Sequence, residues 1–467
     1  MVELKNVMKF GGVCVESGAM IRKSANVVKD HVKAGWSVVA VVSAMAGVTD
    51  SLLEALSWAE AGDARFVATF IERLGERHLE ALKDSVARPE LRAQVEGELK
   101  GEVEGLKQLL TAACLLKEVT PRTRDHVLSF GERLSARIFT ASLIDLGLKA
   151  KYLTGWEAGI VTDDRFGAAR PIMSLTYERL QAKLSPLLAE GIVPVVTGFI
   201  AATPDGVVTT LGRGGSDYTA TIIGAALKVD EVVMWKDVEG IMTADPKLIP
   251  EARSIPLMSY EEVMELAYFG AKVVHPMALD PAMKEGIPIR LKSIFKPDGG
   301  GTLITKAAAE GVVKAVTMVR EAATITVSGA SMIEAPTMSL EVLKALDEVG
   351  VRPLMMSQGS SQASISLAVP RGTLNKALRS LRRRLAGEDF KVDFEDDVCI
   401  ITVIGAGMKG RPGVAARVFK AVAERGVNIR MIAQGSSELN ISFVVKEADG
   451  IKTMRAIHEE FQLNLAT

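Results

Sequence analysis

The C-terminal part of this 467-residue chain carries one pattern twice. Val327-Ser328-Gly329-Ala330-Ser331-Met332 returns as Val403-Ile404-Gly405-Ala406-Gly407-Met408. Ser357-Gln358-Gly359-Ser360-Ser361 returns as Ala433-Gln434-Gly435-Ser436-Ser437, and both pairs are 76 residues apart. Two landmarks at one fixed offset mean a duplicated module. Each copy reads strand, glycine turn, helix, strand, Gln-Gly-Ser-Ser turn, strand, helix. That order fits a two-layer α/β sandwich on an antiparallel sheet. The run Gly405-Ala406-Gly407-Met408-Lys409-Gly410 formally satisfies a dinucleotide fingerprint. The next strand leads to Gln434, however, where a ribose would need an acidic residue, and the first copy has Ser331 in place of a glycine. The resemblance to a nucleotide loop is therefore discarded.

The first ~300 residues follow a different rule, alternating short Val/Ile-rich runs with long amphipathic segments. Strands are expected at 7–10, 37–42, 192–199, 231–236 and 287–291, and a helical subdomain over 50–117. Near-continuous apolar strands in βα order predict a mostly parallel sheet with helices on both sides. Lys296-Pro297-Asp298-Gly299-Gly300-Gly301, dense in turn formers, is the best candidate boundary. A net charge of −1 implies neither nucleic acid nor membrane as partner. Three distant cysteines (Cys14, Cys114, Cys399), no leader-like start and no apolar run of spanning length predict a cytoplasmic protein.

Several loops after these strands carry chemistry. Gly212-Arg213-Gly214-Gly215-Ser216-Asp217 joins a strand-like run to a helix-like one. Its glycines let backbone approach a ligand, its arginine suits a carboxylate or phosphate, and the helix start attracts anions. Ser216 or Asp217 also fits as a plain helix cap. Lys9-Phe10-Gly11-Gly12 ends the first strand, where open α/β sheets bind ligands. Ser43 to Thr49 ends the second with small residues and hydroxyls. Ser129-Phe130-Gly131-Glu132-Arg133-Leu134-Ser135 sets a carboxylate just before or within a helix start. Glu132 fits either a ligand ammonium or a surface ion pair with Arg133 or Arg137, and local sequence favours the ion pair. Trp235-Lys236-Asp237 follows a further strand, Gly270-Ala271-Lys272 adds a lysine near a turn, and His275 reads as a core or turn residue. No His or Cys pair has metal-ligand spacing.

Taken in order, these motifs and the two Gln-Gly-Ser-Ser modules resemble the aspartate kinase family over essentially the whole chain. The resemblance implies a three-layer αβα amino-acid-kinase fold over 1–298 and two regulatory ACT domains (βαββαβ) at 312–390 and 396–467. It implies transfer of the γ-phosphoryl group of MgATP to the β-carboxylate of L-aspartate, giving 4-phospho-L-aspartate. That reaction opens lysine, threonine and methionine biosynthesis. No enzyme-sized region is left for a fused homoserine dehydrogenase.

By the same resemblance Lys9 stabilises the transferring phosphoryl group and Asp217 organises the site. Arg213 clamps the α-carboxylate of aspartate, Glu132 pairs with its ammonium, and Ser43, Thr49, Gly214 and Ser216 line its pocket. Gly11, Gly12, Lys236, Asp237, Met242, Lys247 and Lys272 face ATP and its Mg²⁺. Met332, Ser357, Gln358, Met408, Asn428 and Gln434 mark effector positions for lysine, threonine or both, in a homodimer or homotetramer. The chain departs from the family pattern at Val13 and Cys14 (usually hydroxyl residues), Lys236 (threonine), Met242 (tyrosine) and Lys247 (arginine). Arg352-Pro353 replaces the asparagine turn that the second module keeps at Asn428. Those departures leave an alternative, a catalytically weak amino-acid sensor on the same scaffold.

Overall fold

The computed structural model describes residues 4–269, 274–307, 311–329, 337–359, 363–386 and 390–465. The chain divides into two compact units, Met1–Ile241 with Val274–Lys306 and Met242–Val273 with Ala307–Thr467.

The strands of the first unit are β1 (Lys5–Phe10), β2 (Ser37–Val42), β3 (Ala150–Leu153), β4 (Val193–Thr197), β5 (Ile200–Ala202), β6 (Val208–Thr210) and β7 (Glu231–Lys236). After β8 (Leu257–Ser259), which belongs to the second unit, come β9 (Ile289–Ser293) and β10 (Thr302–Thr305). The main sheet runs β3-β4-β2-β1-β7-β9-β10. Its strands pair in parallel up to β9, while β10 returns antiparallel. The turn-rich segment 296–301 is thus a hairpin connection within one unit. Along β1 side chains alternate between faces. Met8 and Phe10 join the core formed with helices Gly18–Lys33 and Pro121–Asp145. Lys9 points the other way, toward the first turn of helix Gly215–Leu227. Helices therefore cover both faces, as the apolar strands require.

The expected helical subdomain is three helices, Val48–Ala61, Ala64–Ser85 and Pro89–Leu116. Glu132 does not sit at a helix start. Thr120 caps, and Pro121 opens, a 25-residue helix whose middle carries it. Among the described residues no helix is long and apolar enough to cross a membrane.

In the second unit β11 (Ala315–Ser328), β12 (Met355–Gln358), β13 (Ser364–Pro370), β14 (Lys391–Ile404), β15 (Met431–Ala433) and β16 (Asn440–Lys446) form one antiparallel sheet, β12-β13-β11-β14-β16-β15. β11 and β14 are each long enough to serve both modules. Residues 324–328 of β11 pair with 391–395 of β14 in the first module. Residues 315–319 pair with 400–404 and complete the second. The fourth and last strand of the second module thus comes from upstream of the first. The segment after Met242 is part of this unit: Ala244 and Ile249 sit in the core of the second module, and Thr243 Oγ1 meets His458 Nε2 at 3.0 Å.

Candidate active site

The carboxyl ends of the parallel strands open into a crevice, the usual ligand site of such sheets. β1 lies between β2 and β7, so Lys9 emerges at the centre. After it the Gly11 N–H donates to Trp235 O at 3.3 Å. At Gly12 a Cβ would come within 3.2 Å of Ala44 O, so the two loops touch backbone to backbone. Ser43 follows β2, and its carbonyl accepts the Ser135 hydroxyl at 2.7 Å. Thr49 lies in the first turn of helix Val48–Ala61.

The glycine-rich loop leaves β6 and enters helix Gly215–Leu227 with Gly214 as its cap, at φ 75. Neither Ser216 nor Asp217 is the cap. Instead Asp217 Oδ1 lies 2.7 Å from Lys9 Nζ, and its Oδ2 accepts Lys236 Nζ at 2.9 Å. Burial pushes this carboxyl up, but the Lys236 and Lys9 ammonium groups outweigh it and hold it well below the usual range. Burial conversely draws the Lys236 ammonium down, against the opposing pull of Asp217. Two cations on one carboxylate leave a net positive charge facing the crevice. The loop also depends on Gly214 for space, because a Cβ there would lie 2.4 Å from His275 Cβ. With its positive φ, Gly214→Ala is expected to destabilise the chain by about 2 kcal/mol. A urea midpoint unchanged from the parent would contradict that.

Glu132 is buried, and the ion pair that local sequence favours does not form. Arg133 and Arg137 turn to Glu102, and Arg137 also reaches Glu98 at 2.9 Å. Glu132 Oε1 accepts the Ala44 N–H at 3.2 Å, while Oε2 is buried without a hydrogen-bond partner. Burial pushes the Glu132 carboxyl up to about 8, only partly offset by backbone donors and Lys9. Arg213 is the converse case: it is exposed, and no ion pair or hydrogen bond to a described residue engages its guanidinium.

One cavity of about 330 Å³ brings together Lys9, Gly12, Ser43, Thr49, Glu132, Arg213, Gly214, Ser216 and Asp217. It also takes in Asp50 and Phe199, which the sequence reading missed. Phe199 carries its own signal only in three dimensions, a φ of 67 where the chain turns from β4 to β5. Lys236 joins through Asp217, and Gly11 lies beside Lys9. Asp237 is exposed just past β7. Met242 and exposed Lys247 belong to the second unit, and Lys272 lies outside the described residues. Of the effector positions, Ser357 and Gln358 end β12, with Gln358 Nε2 donating to Ser339 Oγ at 3.2 Å. Met408 is buried in the core of the second module, Asn428 and Gln434 are exposed, and Met332 lies outside the described residues. A larger cavity of about 570 Å³ opens between helices Ala64–Ser85 and Pro89–Leu116. Its walls are mainly apolar, and none of the groups above lines it.

A cavity with a basic floor, an unpaired buried acid and a free guanidinium can hold a zwitterion beside a phosphate. Comparison with known proteins points the same way. Residues 5–293 match the amino acid kinase family, and residues 325–385 and 401–461 match the ACT domain. The chain is 34% identical to the chloroplastic aspartokinase 2 of Arabidopsis thaliana, over 98% of this chain and 84% of that protein. It is 33% identical to the chloroplastic bifunctional aspartokinase/homoserine dehydrogenase 1 of Zea mays, over 100% of this chain. There the match covers 51% of the relative, so the chain spans about half the length of the bifunctional proteins it matches. Escherichia coli aspartokinase III, solved with aspartate and ADP, aligns with a TM-score of 0.81 at 29% identity, over 98% of this chain and 99% of that one. The same protein with lysine and aspartate aligns at 0.82, with the same identity and coverage.

Proposed function

The chain belongs to the amino acid kinase family, in its aspartokinase branch, and on that premise we propose that it is an ATP-dependent aspartate kinase. It transfers the γ-phosphoryl group of MgATP to the β-carboxylate of L-aspartate and so opens lysine, threonine and methionine biosynthesis. The observation that carries this reading is that one cavity holds buried, unpaired Glu132 and free Arg213 beside the Lys9–Asp217–Lys236 cluster. Glu132 takes the substrate ammonium and Arg213 its α-carboxylate, with Ser43, Thr49, Gly214 and Ser216 around them. The β-carboxylate, with an ordinary pKa near ~3.9, is already ionised at neutral pH and needs no general base. Its obstacle is the charge of the phosphates it attacks. Lys9, Lys236 and the N–H group of Gly12 lower that obstacle by position and charge, with Gly11 holding the turn through its bond to Trp235 O. Asp217 orients the two ammonium groups. Lys236, a departure from the family pattern, thus adds a cation to the site, which favours a working kinase over a weak sensor.

Family resemblance alone supports Asp237, Met242, Lys247 and Lys272 on the nucleotide side, and Mg²⁺ enters with ATP as substrate. We assign catalysis to 1–298 and regulation to modules at 312–390 and 396–467, the second completed by 315–319. Lysine is the first effector to test, since Escherichia coli aspartokinase III has been solved with it. Threonine is the second, with Ser357, Gln358, Met332, Met408, Asn428 and Gln434 as candidate contacts in a homodimer or homotetramer. Three buried, unpaired cysteines suit a reducing cytoplasm.

The test is an acyl-phosphate assay, with aspartate, MgATP and hydroxylamine as trap. Arg213→Ala is expected to raise the aspartate KM roughly 10–100-fold, the worth of a charged hydrogen bond or two. The ATP KM should stay within about twofold. No aspartate-dependent hydroxamate, or equal losses toward both substrates, would overturn the reading.

A further inference from the structure

Asp125 lies seven residues before Glu132 on helix Pro121–Asp145, about two turns away on the same face. It is completely buried, and no cation forms an ion pair with it among the described residues. Its Oδ2 accepts the N–H groups of Thr210 at 2.8 Å and Gly167 at 2.9 Å, and its Oδ1 accepts the Thr210 hydroxyl at 2.9 Å. Burial pushes the carboxyl up, and these three donors pull it back.

Both residues brace the segment that carries Arg213. Thr210 ends β6, three positions earlier. The Gly167 carbonyl lies so close to Gly212 that a Cβ there would be 3.1 Å from it. The Ala169 N–H donates to Thr210 O at 2.9 Å and ties the two loops together. A buried carboxylate is costly to keep, and here all three of its hydrogen bonds go to the Thr210 segment and the Gly167 loop braced against it.

We propose that Asp125 is a positioning residue, which sets the gap between Glu132 on its own helix and Arg213 on the loop it ties down. The inference rests on the aspartate-kinase reading above. An α-amino acid carries its ammonium and carboxylate on one carbon, so their separation is fixed. A clamp whose halves come from two chain segments binds it well only if those segments are held in register. A shift of the β6 loop away from the helix would spoil the clamp and leave Lys9 and Lys236, carried on β1 and β7, in place.

Comparing Asp125→Ala with Asp125→Asn tests this. An asparagine keeps all three bonds, its carbonyl accepting both N–H groups and its amide donating to the Thr210 hydroxyl. Asp125→Ala is expected to raise the aspartate KM at least tenfold, with the ATP KM within twofold. It should also speed amide exchange over 208–214 but not over 5–10. Asp125→Asn should stay within threefold of the parent. An unchanged aspartate KM in Asp125→Ala, an asparagine variant as impaired as the alanine one, or a joint rise of both KM values with faster exchange throughout would each overturn the proposal. Should Asp125→Ala fail to fold, Thr210→Val removes one bond, and a rise of about threefold in aspartate KM is expected; no rise overturns the proposal. A parent chain that forms no aspartate-dependent hydroxamate sinks the kinase reading by itself. Exchange over 208–214 in the variants then still decides whether Asp125 holds the loop, and unchanged protection there overturns the proposal.

Discussion

Lys9→Ala is expected to lower kcat about 10²–10³-fold, the usual cost of deleting one preorganised donor at a reacting centre. The aspartate KM should change by less than about threefold, because Glu132 and Arg213 remain. Lys9 is rooted in the central strand of the sheet, and its ammonium is held 2.7 Å from Asp217. The cation is therefore in position before substrate arrives and needs no reorganisation during transfer. The variant should fold, because Lys236 still pairs with Asp217 and spares it an uncompensated buried charge. Lys9→Arg should restore little, since a planar guanidinium does not fit the place of a compact ammonium. Steady-state kinetics with a thermal melt on the same samples decide the matter. A kcat unchanged in Lys9→Ala would remove the lysine from the chemistry.

What the sequence discloses and what it hides divide along the range of the interactions. β1, β2 and β7 are readable because a strand covered on both faces is nearly continuously apolar, and 37–42 and 231–236 match the observed strands at both ends. The glycine loop is readable for a local reason too, since a strand must turn into a helix within a few residues. The repeat discloses two modules, yet not that β11 lends its first half to the second. That exchange depends on register with a strand some eighty residues downstream, which no local pattern carries. Glu132 is the sharper case. Two arginines lie within five residues of it, and only the packing of helix Pro89–Leu116 against helix Pro121–Asp145 takes both of them to Glu102. An acid that looks paired in the sequence is unpaired in the fold. Lys236 shows the reverse: as a departure from the family pattern it suggests a weakened nucleotide side, while in space it strengthens the cluster on Asp217.

Glu132→Gln is expected to raise the aspartate KM roughly 10²–10³-fold, because it strands the substrate ammonium in a buried site without its counter-charge. The pH dependence makes the claim sharper. In the unliganded protein the Glu132 carboxyl is pushed up to about 8, so below that pH it is protonated, and binding an ammonium must first expel the proton. The parent's kcat/KM for aspartate should therefore climb up to tenfold per pH unit toward pH 8 and then level off, while the glutamine variant shows no such rise. Stability without ligand must move in the opposite sense. A carboxyl that titrates near 4.5 when unfolded and near 8 when folded leaves the folded state holding more protons between those values. Its stabilising contribution is thus full below about pH 4.5 and is lost as pH rises toward 8. The melting temperature of the parent should fall relative to Glu132→Gln across that window, and aspartate should return the loss at the alkaline end. Parallel melting curves for the two proteins from pH 5 to 8 would show that the Glu132 carboxyl is not held protonated by its burial, and the clamp would lose its acidic half.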